Sequence, residues 1–409
     1  SFLAVPSFAL AEYCLKHLLP NDPERQVLFS AYFSNLCTAV LMSSLLCLLI
    51  FHAFHHFFQM SIRDSFLLTL FYGFGTIAFS YSTTFYCHQP AAFCSFLSFV
   101  LVMHIRKGNS QKKRIIALLA GFSAASAVLI EPSSIYILVA VFIYLFSFQE
   151  GRHYTPLFIV GCIPPGFVQG FYNFVCFGYP VASSYNYANE MVMWKIDGGL
   201  FGIPTPVRLF RLLFSPYRGL LFSSPVFLMA IPGIFLYLKN KRWRPEAILC
   251  TTISLSFVIF IASFYAWHGG AAIGPRYLLP AFPFAFLLTV FALEKYPKAF
   301  TVIGILSFLI NLSVALVGNE IPRSVGNPLR DVVLKHILEG RVSINPVPFS
   351  NFKSYPAIYE LAKIETWTPN FNSFNLGEII FPHSLASILP LICFWVIWGY
   401  WWRKKMLKR

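Results

Sequence analysis

The chain of 409 residues is 57% hydrophobic and only 11% charged, with a mean hydropathy of +0.65. Charged side chains make up about a quarter of a soluble globular protein, so this composition excludes that class and predicts a polytopic membrane protein. The 31 Lys+Arg residues outnumber the 16 Asp+Glu residues. They lie in short clusters between apolar runs, which indicates membrane topology and argues against a nucleic-acid partner.

Eleven uncharged runs approach the roughly 20 residues that a transmembrane helix needs. They lie at about 27–50, 65–81, 89–104, 114–131, 133–149, 155–173, 219–238, 246–266, 277–293, 298–317 and 384–402. The sequence therefore predicts an all-α bundle of about eleven transmembrane helices. The corresponding regions are an outer segment at 1–26, a ten-helix core at 27–317 with an outer loop at 172–217, an outer loop region at 318–383, and the last helix with its basic tail at 384–409.

Lysine and arginine concentrate in alternate connections between these runs. The basic set includes 106–114, 239–246 and the C-terminal RKKMLKR. The positive-inside rule places such connections in the cytoplasm, so the C-terminus is predicted inside and the first residues outside. The longer loops lie on the outer side. Within them, the amphipathic segment at 327–340 predicts either an interfacial helix or a small packed loop domain.

The connection at 266–277 joins two apolar runs on the outer side. It combines three glycines with Trp267, His268, Arg276 and Tyr277. Glycine lets the backbone approach a ligand closely, and the planar fork of arginine suits a lipid phosphate at headgroup depth. The segment predicts a phosphate site. An aromatic-belt turn whose arginine extends to the interface is the alternative.

A second group of arginines precedes the seventh run. Arg208 and Arg211 are three residues apart, and Arg218 follows. Arginines on the outer side run against the positive-inside trend. Local anion binding is the predicted reason for them, with anionic phospholipid headgroups as the alternative ligand.

Other titratable residues lie at the outer ends of predicted helices or in outer loops. His88 stands among hydroxyl side chains that suit a sugar or a phosphate, although an ordinary interfacial histidine has the same pattern. A carboxylate at a membrane helix end needs a partner or water, so Glu131 is a catalytic candidate beside a simple helix-start role. Glu190 and Asp197 are interpreted as solvated loop residues.

The sequence predicts no cofactor and no metal. His52, His55 and His56 resemble a ligand cluster, but apart from Asp64 no carboxylate or cysteine accompanies them. They are interpreted as interfacial residues on a cytoplasmic connection.

Several stretches within residues 1–285 stand in a recognisable order. They are SFLAVPSFAL, YSTTFYCHQPAAF, AGFSAASAVLIEPSS, YNFVCFGYPVASSYNY, LFSPYRGLLFSSPVFLMAIPG and WHGGAAIGPRYLLPAFP. In this order the chain resembles the bacterial GT-C superfamily of polyprenyl-phosphate-sugar-dependent glycosyltransferases, close to the protein mannosyltransferase-like and aminoarabinose-transferase-like proteins. The pair SPYRGLLFSSP and WHGGAAIGPRYLLP is the most specific part.

The resemblance implies a GT-C-type helical bundle in the bacterial inner membrane. Such an enzyme transfers a hexose or pentose from a polyprenyl-phosphate donor to a protein, lipid or glycan acceptor on the periplasmic face, with inversion. The resemblance also implies that the donor phosphate lies near Arg218 and Arg276, and that no metal is needed. The site would further include the residues Trp267, His268, Tyr277, His88 and Arg211.

The family's catalytic base is a carboxylate at the start of the first outer loop. The segment that would carry it precedes SFLAVPSF in the family pattern, so the resemblance implies either a base upstream of residue 1, with a truncated N-terminus here, or a protein that has lost this chemistry.

Two other functions stay open. A non-catalytic subunit of the same fold would serve as a scaffold or lipid-binding partner in a larger membrane complex. A transporter of lipid-linked sugars would need polar residues along a path across the bilayer, and the apolar runs hold few.

Overall fold

The computed structural model describes residues 3–108, 111–182, 200–340, 342, 377, 380–381 and 385–406. Across these residues the chain folds into helices and turns, and Phe201 and Phe264 form an isolated antiparallel bridge. The predicted all-α class is confirmed for this part of the chain. Glu190, Asp197 and most of the loop region at 318–383 lie outside the described residues.

The described part of the chain contains eighteen α-helices. In chain order they are α1 (Val5–Leu18), α2 (Pro23–Asn35), α3 (Leu41–His52), α4 (Ile62–Gly75), α5 (Ala78–Ser82), α6 (His88–Lys107), α7 (Lys113–Ile130), α8 (Ile135–Phe146), α9 (Gln149–Phe177), α10 (Pro206–Leu213), α11 (Leu220–Ser223), α12 (Ala230–Lys239), α13 (Arg244–Ser263), α14 (Phe282–Leu287), α15 (Val290–Lys295), α16 (Pro297–Val317), α17 (Lys335–Leu338) and α18 (Leu389–Met406). The 3-10 segments are Pro132–Ser134, Pro225–Met229, Arg276–Ala281 and Leu385–Ile388, and the π turns are Leu36–Val40, Ala53–Phe57 and Leu329–Leu334.

Six helical stretches of the described chain are long and apolar enough to cross a membrane. They are Phe29–Phe57, His88–Lys107, Lys113–Ile130, Gln149–Phe177, Arg244–Ser263 and Pro297–Val317. The other predicted runs also contain helices, but these are shorter or interrupted. In the run at 277–293, for example, Pro280 and Pro283 remove backbone donors, and a 3-10 segment is followed by the short helices α14 and α15. The chain is an α-helical polytopic membrane protein.

Helix α7 packs against both α6 and α9. A Cβ atom at Gly121 would lie 1.9 Å from the Phe158 carbonyl oxygen, and one at Gly161 would lie 2.1 Å from the Leu118 carbonyl oxygen. The two backbones approach this closely because small residues face each other, as is common between membrane helices. On the other side, Ser123 Oγ donates to the Cys94 carbonyl of α6 at 2.8 Å.

Contacts between connections sort the helix ends into two groups. At one end, His88 at the start of α6 meets Glu131, which follows α7. At the other, Lys107 at the end of α6 meets Glu246 at the start of α13. We call these the His88 end and the basic end. Connections that the charge pattern assigned to opposite sides lie at opposite ends of these helices.

The predicted amphipathic segment at 327–340 is helical. It forms the π turn Leu329–Leu334 and α17, which bury Val332, Val333 and His336 and pack against α16.

Candidate functional site at the His88 end

The glycine-rich connection after α13 is built around left-handed backbone conformations. Gly269, Gly270 and Gly274 have φ of 76°, 70° and 63°. A Cβ atom at Gly274 would also lie 2.7 Å from Ser223 Oγ, so glycine is required there for conformation and for space. The loop is anchored by the Ala272 N–H, which donates to the Ile321 carbonyl at 3.0 Å.

Arg218 lies beneath this loop and is fully buried. Its guanidinium donates from Nε to the His268 carbonyl at 3.1 Å, from Nη1 to the Tyr217 carbonyl at 2.9 Å and from Nη2 to the Gly270 carbonyl at 3.2 Å. The Tyr217 ring covers it at 4.2 Å. This geometry favours a structural cation that holds the loop, and it gives the predicted contact between Arg218 and a phosphate no support.

Arg276 differs from Arg218, because its guanidinium lies against aromatic rings and two of its buried nitrogens have no partner among the described residues. Its guanidinium carbon lies 4.5 Å from the centre of the Tyr86 ring and 5.3 Å from that of Tyr277. Nε and Nη1 are buried, and neither has a hydrogen-bond partner among the described residues. Buried donors without acceptors are costly, and each such group in a folded protein calls for an explanation such as a bound anion or water. Arg276 therefore offers unoccupied donors for an anion.

A buried histidine and carboxylate lie beside Arg276. His88 Nδ1 is 2.8 Å from Glu131 Oε2, and Glu131 also accepts from Cys87 Sγ at 2.9 Å and from Ser133 Oγ at 3.2 Å. Burial acts to raise the pKa of Glu131, but the charge and hydrogen bond of His88 and the other two donors outweigh it and hold that pKa below its ordinary value of 4.5. The carboxylate stays ionised and fixes the proton of His88 on Nδ1. Among the described residues, His88 Nε2 has no hydrogen-bond partner.

Tyr86 connects this pair to a second carboxylate. Its ring stacks on His88 at 5.8 Å, and its hydroxyl donates to Glu320 Oε1. Burial is the main cause that raises the pKa of Tyr86; Arg276 opposes it and Glu320 adds to it, so the phenol stays protonated. Tyr86, Cys87 and Glu320 were not among the site residues predicted from the sequence. Glu320 closely follows an apolar run, so the rule that selected Glu131 also applies to it.

The other predicted site residues divide into two sets. The Tyr277 ring meets His88 edge-on at 5.5 Å, so it belongs with Arg276, Tyr86, His88, Glu131 and Glu320, which together we call the Arg276 cluster. Trp267 is buried with its edge towards Tyr217 at 6.1 Å, and His268 Nδ1 accepts the Gly270 N–H at 2.9 Å. Both build the loop. Arg211 is exposed on α10 and, like the half-buried Arg208, has no contact with the cluster among the described residues.

In the part of the chain that the structure describes, two groups of side chains place possible metal-ligand atoms close together. Cys87, His88 and Glu131 place one donor atom each within 4.8 Å of one another, as do His52, His56 and His104 at the basic end. The first set combines the S, N and O donors that zinc accepts. Burial, followed by the charge and hydrogen bond of Glu131, raises the pKa of the Cys87 thiol. The thiol form donates to Glu131 and is the weaker ligand.

Comparison of the chain with models of known families, with curated proteins and with solved structures gives no match. The Arg276 cluster combines a cation with open donors, a carboxylate-oriented imidazole and phenol rings at the end of an apolar bundle. These groups suit a phosphate ester that is attached to a lipid chain.

Proposed function

We propose that this chain is a GT-C-type glycosyltransferase of about eleven transmembrane helices. It moves a sugar from a polyprenyl-phosphate donor to an acceptor on the outer face of the bacterial cytoplasmic membrane, with the His88 end outside and the C-terminus in the cytoplasm. The observation that carries the proposal is the guanidinium of Arg276, whose buried Nε and Nη1 have no partner among the described residues.

A phosphate monoanion would satisfy both open donors of Arg276 at once. The paired N–H groups of a guanidinium match two phosphate oxygens, and partial burial strengthens that attraction relative to water. The isoprenoid chain of the donor would remain among the apolar helices, while its phosphate lies at the helix ends. A lipid-linked donor therefore fits this site better than a freely soluble nucleotide sugar.

The proposed reaction assigns separate roles to the residues of the cluster. A bond forms between the acceptor oxygen and the anomeric carbon, the bond from that carbon to the phosphate oxygen breaks, and the leaving phosphate takes the electron pair. The acceptor proton passes to a general base. Arg276 stabilises the charge that grows on the phosphate. Glu131 accepts three hydrogen bonds and is a poor base, so it acts as a positioning residue that orients His88 towards the donor.

The test compares two lipids that differ by the phosphate alone, undecaprenyl phosphate and undecaprenol. The purified protein in nanodiscs should bind the phosphate at least about tenfold more tightly, which corresponds to one charge-assisted interaction. Arg276→Gln should remove that preference. The matched control is Arg211→Gln, which changes an exposed arginine at the same end of the molecule and should retain it.

A preference for the phosphate that persists in Arg276→Gln would refute the assigned site. Transfer is measured separately, as release of undecaprenyl phosphate from its sugar-linked form in native membranes. Release that depends on Arg276 supports the enzyme. Phosphate-specific binding without release contradicts the enzyme and favours the lipid-binding scaffold subunit.

A further inference from the structure

Three histidines from two parts of the chain meet at the basic end. His52 is the last residue of α3, His56 lies in the π turn Ala53–Phe57 that continues it, and His104 lies in the last turn of α6. The Nε2 atoms of His52 and His104 are 3.0 Å apart. The His56 ring centre lies 4.9 Å from that of His52 and 5.5 Å from that of His104. Nothing in the sequence around His52 predicts His104 as the third member, because the two residues are 52 positions apart.

This spacing is close to that of a coordination shell. Zn–N bonds of about 2.0–2.1 Å in a tetrahedron place ligand nitrogens about 3.3 Å apart. The three histidines each have a ring nitrogen within 4.8 Å of the others, so side-chain rotations of a small size bring all three to one ion. Histidines four residues apart on one helical face are a known chelating pair, and the neighbouring helix supplies the third ligand.

The surroundings leave these nitrogens available. Within the described chain, the only hydrogen bond to the rings of His52, His56 and His104 is the contact between the Nε2 atoms of His52 and His104. His55, on the same turn, instead has its Nδ1 3.0 Å from the Met60 carbonyl. His56 is exposed and His52 and His104 are half-buried, which gives an ion a route from the aqueous phase.

We propose that His52, His56 and His104 bind a divalent transition-metal ion of the zinc, copper and nickel class. Imidazole is a preferred ligand of these ions, and three histidines leave a fourth position for water or a small ligand. The site is separate from the proposed transferase site, because His104 lies 16 residues beyond His88 on α6, which is about 24 Å along the helix axis.

The probe is Co²⁺, whose visible absorption reports tetrahedral coordination. The full chain is purified in detergent without a polyhistidine tag and carries Cys87→Ser, so that the Cys87 group adds no thiolate ligand. This protein should bind one Co²⁺ through nitrogen and oxygen ligands, and Zn²⁺ should displace it. His104→Ala and His56→Ala should each weaken binding at least about 100-fold, since even outer-shell changes at metal sites cost 10-fold to 100-fold. His55→Ala is the matched control and should leave the affinity within about twofold.

Three results would overturn the proposal. One is the absence of tetrahedral Co²⁺ absorption in the parent protein. Another is undiminished binding by His104→Ala and His56→Ala. The third is a loss in His55→Ala equal to that in His104→Ala. If His104→Ala does not fold, the exposed His56 decides the question, because its replacement removes little packing. Arg276→Gln should bind Co²⁺ normally, so failure of the transferase proposal and failure of the metal proposal give different results.

Discussion

The two ends of α6 handle buried charge in different ways. At the basic end, Glu246 is fully buried and lies 3.5 Å from Arg106 Nη1 and 3.1 Å from Lys107 Nζ. Neither contact has hydrogen-bond geometry, yet both cations lie within ion-pair distance of the carboxylate, and Tyr144 donates to it at 2.7 Å. At the His88 end, Arg276 rests on aromatic rings, and its Nε and Nη1 face no acceptor among the described residues.

The difference teaches how to separate structural from ligand-binding charges in an apolar bundle. Moving a charge out of water costs several kcal/mol unless a partner offsets it. Glu246 has partners within the chain, and so does Arg218 through backbone carbonyls. Two guanidinium nitrogens of Arg276, Nε and Nη1, lack such partners among the described residues, so an external anion is the natural complement to them. Loss of a buried, compensated charge should therefore destabilise the protein more than loss of an exposed ion pair or of an arginine with open donors.

The largest effect is expected from Glu246→Gln. This change leaves the partly buried Arg106 and Lys107 without their counter-charge, which should lower the free energy of unfolding by about 4 kcal/mol. Chemical unfolding in mixed micelles provides the measurement. Glu150→Gln is the control, because the Lys113–Glu150 pair at 2.7 Å is half exposed at its carboxylate and should contribute less than about 1 kcal/mol. Equal losses in both variants would contradict the contrast.

A smaller loss is expected from Arg218→Met. It removes the donors to buried carbonyls of the glycine-rich loop, and unfolding in mixed micelles should show a cost of about 3 kcal/mol. Arg276→Met removes two buried donors, Nε and Nη1, that have no partner among the described residues, and its lost ring contacts are worth about 1 kcal/mol. If the two arginine variants prove equally unstable, the distinction between a structural arginine and a ligand-binding one is lost.

The smallest of the three effects concerns Gly274→Ala. The added methyl group clashes with Ser223 Oγ in a backbone conformation that disfavours alanine, and the expected cost is about 2 kcal/mol. Gly202→Ala, where an added Cβ meets nothing within 4 Å, should change stability by less than about 0.5 kcal/mol. Thermal unfolding followed by tryptophan fluorescence compares them; a stable Gly274→Ala would show that the loop around Arg276 is not tightly held.

Much of the fold follows from the sequence because hydrophobicity alone marks a membrane helix. Each of the eleven predicted apolar runs contains a helix in the structure. The continuity of these helices was harder to predict, since it depends on local backbone chemistry. Helix α4 stops at Gly75 with Thr76 in an extended conformation, although the apolar run continues beyond it.

The site was only partly predictable, because its contacts join distant parts of the chain. Arg276 and His88 were chosen by residue type and position, and the structure brings both to Tyr86. A sequence pattern did not show that Arg218 would turn inward to four backbone carbonyls. Nor did it show that Tyr86 would meet Glu320, since nothing local links residues 234 positions apart.

The glycine contact between α7 and α9 has a mechanical consequence for this site. Glu131 directly follows α7, ten residues beyond Gly121, so the carboxylate moves with that helix. At Gly121 and Gly161 the backbones of α7 and α9 are in direct contact without intervening side chains. Such close packing leaves little room for one helix to shift against the other. A methyl group added at Gly121 would push the two helices apart and carry Glu131 away from His88, so a change about 15 Å along the helix axis from Glu131 would alter the site without touching any of its side chains.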